Sequence, residues 1–120
     1  MPAASLRLPP APEHVRTARL VAVAAARRSG LAEDVVDDVR LAVGEAVARA
    51  VLRQQAAGAG ADVELVLRDD HAFVVEVRDS AGADRPEEDD GVALALVRAL
   101  APEAVLDGAV LRLAWPVPTA

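Results

Sequence analysis

The 120-residue sequence predicts a single α+β domain, a two-layer sandwich in which a mixed sheet is covered on one face by three helices. Three observations lead there. Two long early stretches repeat apolar residues at helical spacing. Two later stretches alternate apolar and polar residues about a short polar turn. The elements follow in the order β-α-α-β-β-α-β-β, with no repeat and no linker long enough to separate domains.

Each element has its own signal. "SLRLP" alternates and predicts a short strand over Ser5–Pro9. From Pro12 to about Ser29, Val15, Ala18, Val21, Ala22 and Ala25 recur at helical spacing, and Gly30 suits the residue just past a helix end. A second helix spans about Ala32–Gln55. Glu33, Asp34, Asp37 and Asp38 crowd its start, where the helix dipole favours anions, and Val36, Val39, Val43, Val47, Ala50 and Val51 form its buried stripe. "AAGAGA" is a loop. Strands follow at about Val63–Arg68 and Ala72–Arg78, with "DDH" as the hairpin turn. Residues 81–90 are polar, contain Pro86 and the run "EEDD", and predict a surface loop. Gly91–Leu100 predicts a third helix, apolar nearly all round and so expected to be largely buried. "AVLDGAVLRLAW" closes the fold as a hairpin turning at Asp107-Gly108.

Composition narrows the function classes. Hydrophobic residues are 53% and charged residues 27%, a globular balance that can bury roughly two-thirds of the unfolded surface. Aromatics are 2%, Phe73 and Trp115 alone, so a nucleic-acid surface built on base stacking is nearly excluded. A net charge of −6 disfavours phosphate-backbone binding in general. With no cysteine there is no disulfide, thiolate metal site or cysteine nucleophile. Prolines at 9, 10 and 12 interrupt the N-terminus, which predicts no signal peptide, and no apolar run is long enough for a membrane span; a cytoplasmic location is the expectation. All 13 basic residues are Arg, and Lys, Asn, Ile and Tyr are absent, a pattern of GC-rich codon usage.

Little chemistry is dense in the chain. His14 and His71 lack metal-ligand spacing, the serines lack a His–Asp constellation, and no P-loop is present. What remains is spread out. Glu45 lies mid-helix, with Arg49 and Arg53 following at four-residue steps. Asp79 ends an apolar strand. Gly91 opens a helix. An acid at a strand end beside a helix N-terminus is a recipe for a nucleotide pocket.

Four segments in order resemble the anti-sigma factor serine/threonine kinases of the RsbW and SpoIIAB type, within the GHKL (Bergerat-fold) ATPase superfamily. "DDVRLAVGEAVARAVLR" is similar to the helix with motif E-A-x-x-N-A. "VVEVRDSAGAD" is similar to the turn D-x-G-x-G, "DDGVALALVRALA" to G-x-G-L, and "DGAVLRL" to the last strand, usually entered by Gly-Thr. The resemblance covers nearly the whole chain. It implies a single histidine-kinase-like ATPase domain over residues 1–120, ATP and Mg²⁺ as cofactors, and a bacterial regulator of transcription that switches partners. Glu45 would be the general base. Asp79 would contact the adenine amino group, and Gly82 and Gly91 would let backbone approach the nucleotide. Arg19 in "TARLVAV", with Arg16 one turn earlier, matches the partner-binding Arg of the first helix. The partners implied are a sigma factor and a STAS-type anti-sigma factor antagonist, and the family suggests a homodimer.

The departures from these motifs point to a degenerate ATP site. Arg49 replaces the metal-binding Asn and has no lone pair to offer a metal. Ala81, Ala83 and Ala93 replace glycines, and a Cβ narrows the backbone approach. The lid, residues 83–90, is abbreviated and acidic where phosphates would lie. Glu45 and Arg49 stand in the favourable orientation for an ion pair that would make Glu45 a poorer base, with Arg53 extending the column. Arg49 contacting phosphate in place of Mg²⁺ is the rival reading. The sequence therefore predicts an anti-sigma regulator acting by protein binding, with ATP and Mg²⁺ not bound and no metal site. The alternatives are an active kinase on an antagonist protein and a GHKL-like module with another signalling partner. Arg7, Arg16, Arg19, Arg27 and Arg28 are expected to form a positive patch on an acidic protein.

Overall fold

The computed structural model describes residues 3–81 and 91–118. Strand β1 (Ala3–Leu8) leads through a 3₁₀ turn (Pro12–His14) into α1 (Val15–Arg28) and α2 (Glu33–Ala56). The hairpin β2 (Val63–Asp69) and β3 (Ala72–Arg78) follows, then α3 (Gly91–Leu100) and the hairpin β4 (Glu103–Asp107) and β5 (Val110–Pro116). The α+β two-layer architecture and the three helices are those expected.

The five strands lie in the order β1-β2-β3-β5-β4, and every neighbouring pair is antiparallel rather than mixed. The connection through α3 makes β4 run in the direction of β3, but β5 is inserted between them, so no parallel neighbours arise.

The turns follow residue chemistry. Gly30 sits at φ +85 past the end of α1; its N–H donates to Arg27 O and that of Leu31 to Ala26 O, the paired bonds of a helix stop that needs a left-handed residue. Gly108 at φ +59 serves the two-residue turn between Asp107 and Val110.

The helices cover one face of the sheet. Leu65, Leu67, Phe73, Val75, Val77, Leu111, Leu113 and Trp115 join Val36, Val39, Val43 and Val47 in one core, aliphatic but for Phe73 and Trp115. Trp115 lies 6.3 Å from Phe73 and donates its indole N–H to Leu100 O, tying β5 to the end of α3. The other face carries a charge lattice across neighbouring strands: Arg7–Glu64 at 3.6 Å, Arg78–Glu64 at 3.3 Å, Arg78–Glu76 at 3.1 Å, and Arg68 with Glu76.

Helix α3 departs from expectation. Only Leu94 and Val97 are fully buried, while Val92 is 76% exposed and Leu96 is exposed too. It packs chiefly on α2 and touches β4, so one face is covered although residues on all sides are apolar. No helix among the described residues is long and apolar enough to cross a membrane.

Candidate functional site

The last turns of α2 reach the end of β3. Arg53 and Gln54 are consecutive on α2, and both are buried. The Nε–H of Arg53 donates to Asp79 Oδ2 at 3.0 Å, with side chains 7% and 2% exposed. Asp79 Oδ1 accepts the N–H of Ala81 at 2.9 Å, and the N–H of Asp79 donates to Ala109 O at 3.0 Å. Gln54 Oε1 accepts both the N–H of Ser80 at 2.7 Å and its Oγ–H at 2.8 Å, while Gln54 Nε2 donates to Ala61 O. Two adjacent side chains thus hold the 79–81 turn against the helix. A buried carboxylate needs charged or N–H donors, and here the protein supplies them from its own chain.

This corrects the expected column of Glu45, Arg49 and Arg53. Arg53 leaves the column to meet Asp79. No hydrogen bond or ion pair joins Glu45 to Arg49 among the described residues: Arg49 is 5% exposed, while Glu45 is only half-buried. Glu45 lies two turns, about 12 Å of helix rise, from Arg53. Gly91 opens α3 and is exposed, whereas Gly82 and the acidic lid at 83–90 lie outside the described residues.

Arg16 and Arg19 are exposed on α1. They line a surface hollow of about 270 Å³ with Leu20, Val23 and Arg27 of the same helix and Arg40 of α2. Arg27 grips Glu33 through Nε and Nη2, at 3.1 and 2.9 Å. That hydrogen bonding raises the Arg27 pKa and lowers the Glu33 carboxyl below its ordinary value. Arg40 pairs with Asp37 at 2.8 Å. The stem of Arg19 crosses α2 at Gly44, beside Glu45, where a Cβ would stand 2.9 Å from Arg19 Cδ. Arg7, expected in the same positive patch, instead lies on the open sheet face beside Glu64. Arg40 joins the patch in its place.

Gln54 escaped the sequence reading. Its signal was positional: it falls at i+3 from Val51 and i+7 from Val47, a polar residue on the buried stripe, which calls for buried hydrogen-bond partners.

The residues do not fit ATP with Mg²⁺. The motif's metal-ligand position holds the buried Arg49, which has no lone pair for a metal, and the Asp79 carboxylate is engaged by Arg53. No curated protein matches the chain. The family model for the histidine kinase-like ATPase domain matches residues 8–115, from the end of β1 into β5, taking in all three helices, Glu45 and Asp79. The chain belongs to the histidine kinase-like ATPase domain family.

Proposed function

We propose that the protein is an anti-sigma regulatory factor of the RsbW and SpoIIAB type, which controls transcription by binding a sigma factor or a STAS-type antagonist through α1, with a degenerate ATP site. The carrying observation is the α1–α2 hollow, where Arg16 and Arg19 flank the 60%-exposed Leu20 on a protein of net charge −6. A local cationic surface with an apolar centre suits a protein partner that presents carboxylates around an apolar side chain. The four ordered motif resemblances support the same reading.

The test is capture of purified sigma factors and antagonist proteins by the wild type and by Arg19→Glu. Capture by the wild type, lost in the variant, is the expected result. Capture of neither class, or capture unaffected by Arg19→Glu, would defeat this reading and leave a family module with another signalling partner. ATP with Mg²⁺ at millimolar concentration is expected to give no thermal stabilisation, against about 2.7 kcal/mol for a ligand at 100 times its dissociation constant.

A second reading keeps an active serine/threonine kinase. The observation in its favour is Glu45, which is half-exposed and not held by Arg49. Phosphorylation of an antagonist, abolished by Glu45→Ala, would establish it.

A further inference from the structure

We infer that Arg53 is a built-in occupant of the nucleotide site, its guanidinium standing where the hydrogen-bond donor of an aminopurine would meet Asp79. The inference rests on the proposed reading of this face as nucleotide-derived, and it replaces the bound ligand with a side chain of the same fold.

The geometry carries it. The Asp79 side chain is 2% exposed, and its two oxygens accept one bond each from Arg53 Nε and from the Ala81 N–H. With the Asp79 side chain closed to solvent, an incoming exocyclic amine reaches Oδ2 only by taking the place of Arg53. The guanidinium belongs to a side chain that is itself 7% exposed, so the exchange trades a charge-assisted bond between two buried groups for a bond from a neutral donor. The neighbouring clasp makes the ligand structurally redundant. Gln54, fully buried, ties the N–H and hydroxyl of Ser80 to α2 and reaches on to Ala61 O. The 79–81 turn is therefore tied to α2 by two side chains, and to the β4–β5 turn by the Asp79 N–H, without a ligand. A regulator built this way holds its turn in one state whatever the nucleotide level, and its partner choice is set by partner concentration.

The probe is adenosine, which carries the amine but neither phosphate nor metal, so Arg49 and the acidic lid do not enter the result. Thermal shift and calorimetry at millimolar adenosine are expected to show no binding to the wild type. Arg53→Ala is expected to bind at least roughly tenfold more tightly than the wild type. Arg53→Ala/Asp79→Ala is expected to lose that gain. Adenosine binding to the wild type, or none to a folded Arg53→Ala, overturns the inference. Should Arg53→Ala fail to fold, amide hydrogen exchange on the wild type decides. The Ser80 and Ala81 amides should be slowed roughly a hundredfold against an unstructured chain and be unchanged by adenosine. Unprotected amides, or protection gained on adding adenosine, refute it. None of these outcomes touches partner capture, so failure here is separable from failure of the anti-sigma reading.

Discussion

The side chain of Arg19 lies across the backbone of Gly44, with its Cδ 2.9 Å from the place a Cβ would occupy. This contact explains a glycine in the middle of a 24-residue helix, where it is less favourable than alanine by about 0.8–1.0 kcal/mol. It also links the proposed docking helix to the residue preceding Glu45.

Gly44→Ala is expected to leave stability within about 1 kcal/mol of the wild type, because the gain in helix propensity is offset by displacing Arg19. In an Arg19→Ala background the obstruction is gone, and the same substitution should stabilise by about 0.8–1.0 kcal/mol. Urea denaturation of the four proteins measures this coupling. Equal effects of Gly44→Ala in both backgrounds would rule out the contact.

Breaking the Arg53–Asp79 pair should be strongly destabilising. Each of Arg53→Ala and Asp79→Ala is expected to cost about 3–5 kcal/mol, since either change removes one partner of a buried ion pair. The double variant should lose less than the two single losses together. Unfolding followed by the fluorescence of Trp115, the one tryptophan, reads all three.

Gln54→Leu conserves size but strips hydrogen bonds from the Ser80 N–H and from Ala61 O. At about 1–3 kcal/mol for each buried group left unsatisfied, the loss should exceed that of Ser80→Ala, which removes only a hydroxyl. Chemical denaturation of the two variants makes the comparison, and equal losses would contradict the assigned geometry.

The Arg27–Glu33 pair predicts a pH effect of known sign. Hydrogen bonding to Arg27, aided by its charge, holds the Glu33 carboxyl below its ordinary value. The folded pKa is the lower one. The contribution is therefore present above the unfolded value and is lost as pH falls through the folded value. NMR titration should show the Glu33 carboxyl below the usual range in the wild type and returned towards it in Arg27→Ala. Both side chains are exposed, so added salt should shrink the difference.

Much of the fold was legible because its elements have strong periods and clear stops. Val36, Val39, Val43 and Val47 mark the inner stripe of α2, and Gly30 and Gly108 mark the turns that need a left-handed residue. Strand adjacency was not legible: nothing local says that β5 rather than β4 sits beside β3, and the antiparallel sheet follows from that choice. The burial of α3 was misread because an all-apolar helix does not declare which of its faces has a neighbour. The Arg53–Asp79 bond joins residues 26 apart. Arg49, Ala50, Ala56 and Ala57 are the neighbours of Arg53 at helical spacing and none is an acid, so nothing on α2 itself points to a partner, and the long-range bond is hidden until α2 and β3 are packed together.

The register that pairs Ala3 with Arg68 and Leu8 with Val63 also sets an order of assembly. The two hairpins close short loops and can form early, whereas β1 must wait for both helices and for β2, its one neighbour in the sheet. Leu6→Ala, on a strand that docks late, should hasten unfolding and leave the folding rate nearly unchanged. On a ribosome the asymmetry is sharper still: β1 emerges well before β2 and has no partner in the sheet until β2 has been made.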